Sequence, residues 1–292
     1  MSATPEHLGE RTIAVLASRV GADEKRLFGA FERRGVPYEH VDTRRQSFVA
    51  GRRDLPWRLV LNREISQVRA AYAAHCLAAA GAEVVNSAAA IEVCGDKWRS
   101  TVSLQAAGVP MPRTALGLTP EATLDALDDI KYPALIKPLV GSWGRLIVPL
   151  PDRATAEAVL EYAAALTGPQ SHLGYVQELI DKPDRDIRVI VVGGRVLGAV
   201  YRTGESLRTN VALGGQTQAC EVTADIARLA LDAAAAVGAD IAGVDLVEDR
   251  EGRLLVLEVN HRVEFSGFQS AHGDRVDVAD AIVDHLLERV HR

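Results

Sequence analysis

Apolar positions along this chain follow two periods, and their arrangement changes near residue 86. Before that point, short apolar runs alternate with segments of helical spacing. Thr12–Ala17 (TIAVLA), Trp57–Leu61 and Glu83–Asn86 (EVVN) read as short buried strands. Between them, Asp23–Arg34 sets Leu27, Phe28 and Phe31 on one helical face and stops at Gly35, ahead of Pro37. Ser66–Ala80 is an alanine-rich helix closed by Gly81, and Ser87 is placed to cap the next helix. This alternation predicts a small, mostly parallel α/β lobe.

Beyond residue 86, one helix is predicted to about Ala107, followed by Gly108 and an extended Pro110–Pro112 segment. Thr119–Asp129 is a short helix with Pro120 in its first turn. Tyr132–Lys137 and Leu146–Leu150 read as strands around a glycine-bearing loop, and Ala154–Leu166 as a helix. From Tyr175 onward strands dominate: YVQELI, DIRVIVVG and RVLGAVYR. The last two meet at Gly193-Gly194, a strong hairpin signal. Ala224–Val237 is helical, Ile241–Glu248 and Arg253–Asn260 form a second hairpin, and Val278–Val290 is an amphipathic helix.

Composition narrows the class. Hydrophobic residues make up 48% and charged residues 25%, the balance of a globular protein. No apolar run reaches the roughly 20 residues that span a bilayer. The polar stretch Met1–Arg11 lacks a signal-peptide core, so a cytoplasmic protein without membrane contact is expected. Cys76, Cys94 and Cys220 are far apart and odd in number, which predicts reduced thiols and no zinc site. A formal net charge of −6 disfavours a nucleic-acid partner, while local cations can still bind a polyanion.

The second hairpin carries the first candidate chemistry. A four-residue turn pairing Glu248 with Arg253 puts Asp245 opposite Val256, with Glu258 and Asn260 on the same side. Two carboxylates and an amide oxygen suit Mg²⁺. A solvated sheet face would show the same acids, but the flanking IAGV and LLVLEV are almost wholly apolar, and buried carboxylates need a cation or a partner. Lys137 ends an apolar strand before Gly141-Ser142-Trp143-Gly144-Arg145, a loop whose amides could approach phosphate oxygens. A snorkelling lysine and a plain turn explain those residues equally. Neither a Walker A nor a GxGxxG fingerprint is present. Gln177-Glu178-Leu179-Ile180 could read an adenine edge and Asp186 could hold ribose hydroxyls, or the stretch is an ordinary edge strand. Arg202, Arg208-Thr209-Asn210 and Gly214-Gly215 suit a phosphate or carboxylate, or form a polar loop.

Taken in order, Gly95-Asp96-Lys97, Lys137 with GSWGR, QELI…DIR, RTN…GG, GVDL and EVN resemble the ATP-grasp ligases over roughly residues 85–265. Val85-Asn86-Ser87, VCGDKW (Val93–Trp98), RDIRV (Arg185–Val189) and Glu258-Val259-Asn260-His261 with Glu264-Phe265 point to the RimK-like branch and, within it, to LysX-type ligases. The resemblance implies an α/β (α+β ATP-grasp) fold. It would comprise a pre-ATP-grasp domain (1–86), a central subdomain (87–176) and a C-terminal subdomain (177–292), with ATP clamped between the last two. Lys97 and Lys137 would bind its phosphates under the loop of Gly141, Ser142, Trp143, Gly144 and Arg145. Gln177, Glu178 and Ile180 would line the adenine pocket, Asp186 would hold the ribose, and Arg202 would meet the reacting phosphoryl or carboxylate group. Asp245, Glu258 and Asn260 would hold two Mg²⁺ ions, leaving Arg202, Lys137 and Asn260 in contact with the reacting atoms. Asn210, Gly214, Gly215, Glu264 and Phe265 would face the amino-acid substrate.

The activity so implied joins the amino group of 2-aminoadipate to the terminal glutamate side chain of a small acidic, LysW-like amino-group carrier protein. It would run through an acyl phosphate and release ADP, in lysine or related amino-acid biosynthesis, with a homo-oligomer expected. The alternatives are a RimK-like glutamate ligase acting on a protein or peptide, a LysX relative using another amino acid, and a non-catalytic nucleotide-binding module. An acidic carrier would need a basic patch, for which Arg44-Arg45, Arg52-Arg53, Arg63 and Arg69 are candidates, solvated surface arginines being the plainer reading.

Overall fold

The computed structural model describes residues 12–141, 146–204 and 216–291. The alternating apolar runs of the first third form a parallel sheet of β1 (Thr12–Leu16), β2 (Tyr38–Val41), β3 (Trp57–Asn62) and β4 (Glu83–Val85), in the order β2-β1-β3-β4. Helices α1 (Ala22–Arg33) and α2 (Gln67–Ala79) cover it. The unforeseen strand is β2, whose YEHV sequence buries only Val41. The chain steps from β1 to one neighbour and then to the other, so a crevice opens at the carboxyl ends of β1 and β3.

The single helix expected up to Ala107 is two: α3 (Ala88–Gly95) and α4 (Lys97–Ala106). Asp96 separates them. Its extended backbone ends α3, and its carboxylate accepts the Trp98 and Arg99 amides (2.9 and 3.0 Å) to cap α4.

A second sheet, antiparallel, contains β5 (Thr114–Gly117), β6 (Ala134–Lys137), β7 (Val148–Leu150) and β8 (Gly174–Glu178), in the order β5-β8-β6-β7. With α5 (Pro120–Ile130) and α6 (Arg153–Ala164) it has its own core around Leu127, Leu150, Leu160 and Val176. Strand β5 was not expected, and β8 stops at Glu178, which leaves Ile180 outside the ladder.

The third sheet is antiparallel in the order β11-β10-β9-β12-β13. Its strands are β9 (Arg185–Val192), β10 (Arg195–Thr203), β11 (Gln216–Cys220), β12 (Ile241–Glu248) and β13 (Leu254–Asn260). The β9–β10 turn is Gly193-Gly194, both at positive φ (57° and 72°), as the hairpin signal predicts. One face of this sheet packs Ile187, Val189, Val244 and Val256 against α7 (Ala224–Ala236) and α4. The other face is apolar only at one end. There Ile190, Val192 and Ile241 meet Phe265 and Phe268 of the segment around α8 (Ser266–His272), and α9 (Val278–Val290). That core also contains Ile13, Leu27, Phe31 and Leu59, so the first and third sheets share it. Asn86 fastens the seam with all its hydrogen-bonding capacity: its amide donates to the Ile241 and His261 carbonyls (2.7 and 2.8 Å), and its oxygen accepts the Asp240 and Ile241 amides (2.7 and 3.0 Å). No helix among the described residues is long and apolar enough to cross a membrane.

Candidate active site

The polar end of the third sheet's inner face carries a row of charges set by strand register. Asp186 and Arg188 lie two apart on β9 and therefore share a face. Arg202 on β10 stands opposite Asp186, Asp245 on β12 opposite Arg188, and Glu258 on β13 opposite Asp245. The pairing follows the register. Arg202 Nε donates to Asp186 (2.6 Å) and its Nη2 contacts Asp245 (3.0 Å), while Arg188 grips Asp245 with both Nε and Nη2. Burial opposes ionisation of Asp245, but the two guanidiniums outweigh it and hold its carboxyl below the ordinary value. Burial likewise works against Arg202, and Asp245 and Asp186 overcome it.

The hairpin register differs from the expected one. Glu248 pairs with Leu254, and a bulge at Leu257 shifts the ladder, so Asp245 faces Glu258 and not Val256. The extra residue changes which face each side chain takes. Val256 turns into the core with Val259, while Glu258 and Asn260 turn toward Asp245. The convergence of three oxygen-bearing side chains thus arises by a different route.

Opposite this row stands a pair of lysines. Lys137, at the end of β6, donates to Gln177 Oε1 (2.5 Å), and the Gln177 amide is held by Thr114 Oγ1 (3.0 Å). Lys97 opens α4 and donates to the Gly141 carbonyl (3.0 Å). Burial pushes Lys137 down to about 8, against the pull of Glu258 and with help from Lys97. Burial lowers Lys97 as well, again opposed by Glu258. A cleft of about 820 Å³ runs past Gly141, Arg202, Glu258 and Asn260 to Arg19, Glu24 and Glu64 at the first lobe's crevice. That is the size of a nucleotide-class ligand site.

The donor set suits Mg²⁺. Asn260 Nδ2 donates to Glu258 Oε1 (3.1 Å), and both side chains line the cleft. The described residues contain no cluster of three or more His, Cys, Asp and Glu side chains. The set of Asp245, Glu258 and Asn260 is oxygen-only by residue type and would need ligand phosphates to complete a coordination shell, as Mg²⁺ sites do.

Other expected residues fall less centrally. Ser142, Trp143, Gly144, Arg145, Arg208, Thr209, Asn210, Gly214 and Gly215 lie outside the described residues. Gln177 is buried and spends its side chain on Lys137 and Thr114, while the Glu178 carboxylate meets Arg113 (3.2 Å). Ile180 is half-buried after β8. Glu264 lines the cleft and pairs with Arg262 (3.2 Å). The Phe265 ring points away from the cleft, fully buried with the Arg63 guanidinium 5.8 Å from its centre. Asp23 turns the chain there by accepting the Phe265 amide (3.0 Å) and the Ser266 hydroxyl, which corrects the expected substrate contact of that ring. The candidate basic patch is largely neutralised locally: Arg44 pairs with Asp42 (2.8 Å), Arg52 with Asp54 (2.6 Å) and Arg69 with Glu64 (3.0 Å), and Arg63 is buried on Glu24 (3.0 Å).

Two contributors were not singled out from the sequence. Arg188 could have been, since it follows Asp186 at the same-face spacing on a strand. Gln67 could not, because a glutamine in the first turn of a helix is ordinarily solvated. Its Oε1 accepts from His261 Nε2 (2.8 Å). Burial, with Arg262 and Arg63 nearby, holds His261 down to about 4, so its ring is neutral.

Known proteins resemble this chain in sequence and fold. Residues 94–286 match the RimK-like ATP-grasp domain and residues 13–93 the LysX preATP-grasp domain. The glutamate–LysW ligase ArgX of Sulfurisphaera tokodaii is 30% identical over 278 residues, covering 94% of this chain and 98% of that protein. The alpha-aminoadipate–LysW ligase LysX of Sulfolobus acidocaldarius is 32% identical over 235 residues, covering 80% and 84%. A crystal structure of a RimK domain ATP-grasp protein from Sphaerobacter thermophilus superposes with a TM-score of 0.79 at 27% identity, covering 94% of this chain and 99% of that one.

Proposed function

The chain belongs to the RimK-like ATP-grasp family and is an ADP-forming carboxylate–amine ligase, and on that footing we propose that it joins an acidic amino acid to a small carrier protein. The bond would link the amino group of the amino acid to the terminal glutamate side-chain carboxylate of an acidic, LysW-like carrier. The observation that carries this reading is the charged row from Arg202 to Glu258 on the third sheet, whose Arg202 and Glu258 line the cleft and whose Glu258 acts electrostatically on Lys97 and Lys137.

The family uses ATP and Mg²⁺. In this reading Lys97 and Lys137 meet the phosphates, and the 141–145 loop covers them. Gln177 steers Lys137, Glu178 and Ile180 border the adenine, and Asp186 lies toward the ribose. Asp245, Glu258 and Asn260 would hold one or two Mg²⁺ ions, which would help neutralise the phosphate charge. Arg202 and Asn260 face the reacting groups. A carboxylate repels nucleophiles, so it is first phosphorylated: its oxygen bonds to Pγ as the bond from Pγ to the ADP oxygen breaks. The amine then attacks the acyl carbon, phosphate leaves, and an isopeptide bond remains. Such a sequence needs positioned cations and a dry site more than a nucleophilic side chain.

For the amine, 2-aminoadipate is the expectation from motif likeness, and the near-full-length match to a glutamate–LysW ligase supports glutamate. Glu264 and the 205–215 segment would shape that choice. The test is intact-mass analysis of a LysW-type carrier incubated with the protein, ATP, Mg²⁺ and each amino acid in turn. One amino acid should add its residue mass, together with ADP release. No mass gain with any amino acid, under conditions where ATP is bound, overturns the carrier reading.

A further inference from the structure

The first lobe supplies a side chain that braces the two halves of this site. Gln67, at the start of α2, reaches α3 and the end of β13 at once. Its Nε2 donates to the Ile91 carbonyl (2.7 Å) and its Oε1 accepts from His261 Nε2 (2.8 Å). A carbonyl can only accept, so the Ile91 contact fixes the orientation of the amide. His261 must then carry its proton on Nε2.

Ile91 lies one turn before Gly95, which precedes Asp96 and the phosphate-facing Lys97. His261 follows Asn260 directly. Gln67 therefore connects the lysine side to the oxygen-donor side. The fit is close: a Cβ on Gly95 would stand 1.7 Å from Gln67 Nε2 and 2.2 Å from its Cδ. Gly95 is not at a positive φ, so what it provides is room for Gln67 and not an unusual backbone conformation.

We infer that Gln67 is a positioning residue of the ligase site, a strut from the first lobe that sets the distance between Lys97 and the Glu258–Asn260 donor pair. The inference rests on the reading of those residues as phosphate and Mg²⁺ contacts. Gly95 is its counterpart, since any side chain there evicts the amide.

Calorimetric titration of the full chain with AMP-PNP, with and without Mg²⁺, tests it on the wild type, Gln67→Met and Gly95→Ala. Gln67→Met keeps the length and removes both hydrogen bonds. Each variant should lose about tenfold of the affinity gain that Mg²⁺ confers, the scale of losing an outer partner of a metal ligand. Binding without Mg²⁺ should change little, and the double variant should lose no more than either single one. The strut is overturned if the Mg²⁺-dependent gain is unchanged, or if affinity falls equally with and without Mg²⁺, as general loosening would cause. Thermal melts identify folded variants, and Gln67→Met alone decides if Gly95→Ala does not fold. Failure of the wild type to bind AMP-PNP would instead overturn the nucleotide reading itself.

Discussion

Asp245, which is buried, and Lys137, which is half-buried, are compensated in opposite ways. Asp245 has two guanidiniums on it, and one of these is held in turn by Asp186. Lys137 has only a neutral amide oxygen and a nearby Glu258 that does not restore its ordinary proton affinity. The acidic side is therefore neutralised in advance by cations that do not deprotonate. The lysine side is short of negative charge. In the proposed site, a polyphosphate entering between them would relieve the lysines, whereas a divalent ion would have to draw Asp245 partly away from its arginines. In the proposed metal site, the contrast gives the looser donors Glu258 and Asn260 a part beside the clamped Asp245.

Removing the clamped acid should have the largest effect. Asp245→Asn leaves Arg188 and Arg202 buried without their shared counter-charge and should cost about 3–5 kcal/mol of stability, read from urea denaturation. A loss below about 1 kcal/mol would mean that the row tolerates an unpaired charge, and the contrast would collapse. Next is Glu258→Gln, which should reduce ADP release by more than about 10²-fold while the fold persists, as loss of a metal-held transition-state contact does. Unchanged turnover would remove Glu258 from the chemistry.

Lys137 gives a subtler signature. Its folded value of about 8 lies below the ordinary 10.5, so between these limits the folded chain binds fewer protons than the unfolded one. Its contribution therefore makes stability rise with pH across that window. Phosphates would pull the value back up, so nucleotide binding near pH 8 should take up a fraction of a proton, measurable by calorimetry in buffers of different ionisation enthalpy. Lys137→Arg should reduce the uptake. The smallest change is expected from Gln177→Met, which removes the neutral partner of Lys137 and should cost about 0.5–1.5 kcal/mol in a thermal melt.

Legibility in the sequence followed burial. Apolar runs such as TIAVLA and DIRVIVVG and the Gly193-Gly194 turn are visible because burial and a positive φ restrict residue choice there. YEHV, TALG and QTQAC became β2, β5 and β11 without such a signature, because each buries only one residue. The bulge at Leu257 is silent for the opposite reason: in LLVLEV almost every position is apolar, so a one-residue slip leaves no mark. The acids stood out as carboxylates in apolar strands. Gln67 did not, since its importance depends on Ile91, Gly95 and His261, which only the packed structure assembles.

The core shared by Ile13, Leu27 and Phe31 with Ile282 and Leu286 also bears on how the chain is made. These partners are more than 250 positions apart, so the first lobe cannot close this hydrophobic side until α9 has been synthesised. Throughout elongation, the part of this core that α9 closes stays uncovered, and Asn86 has no carbonyls of Ile241 and His261 to hold. Nascent chains stalled before residue 278 should therefore be the species that chaperones retain, with release coinciding with the docking of α9.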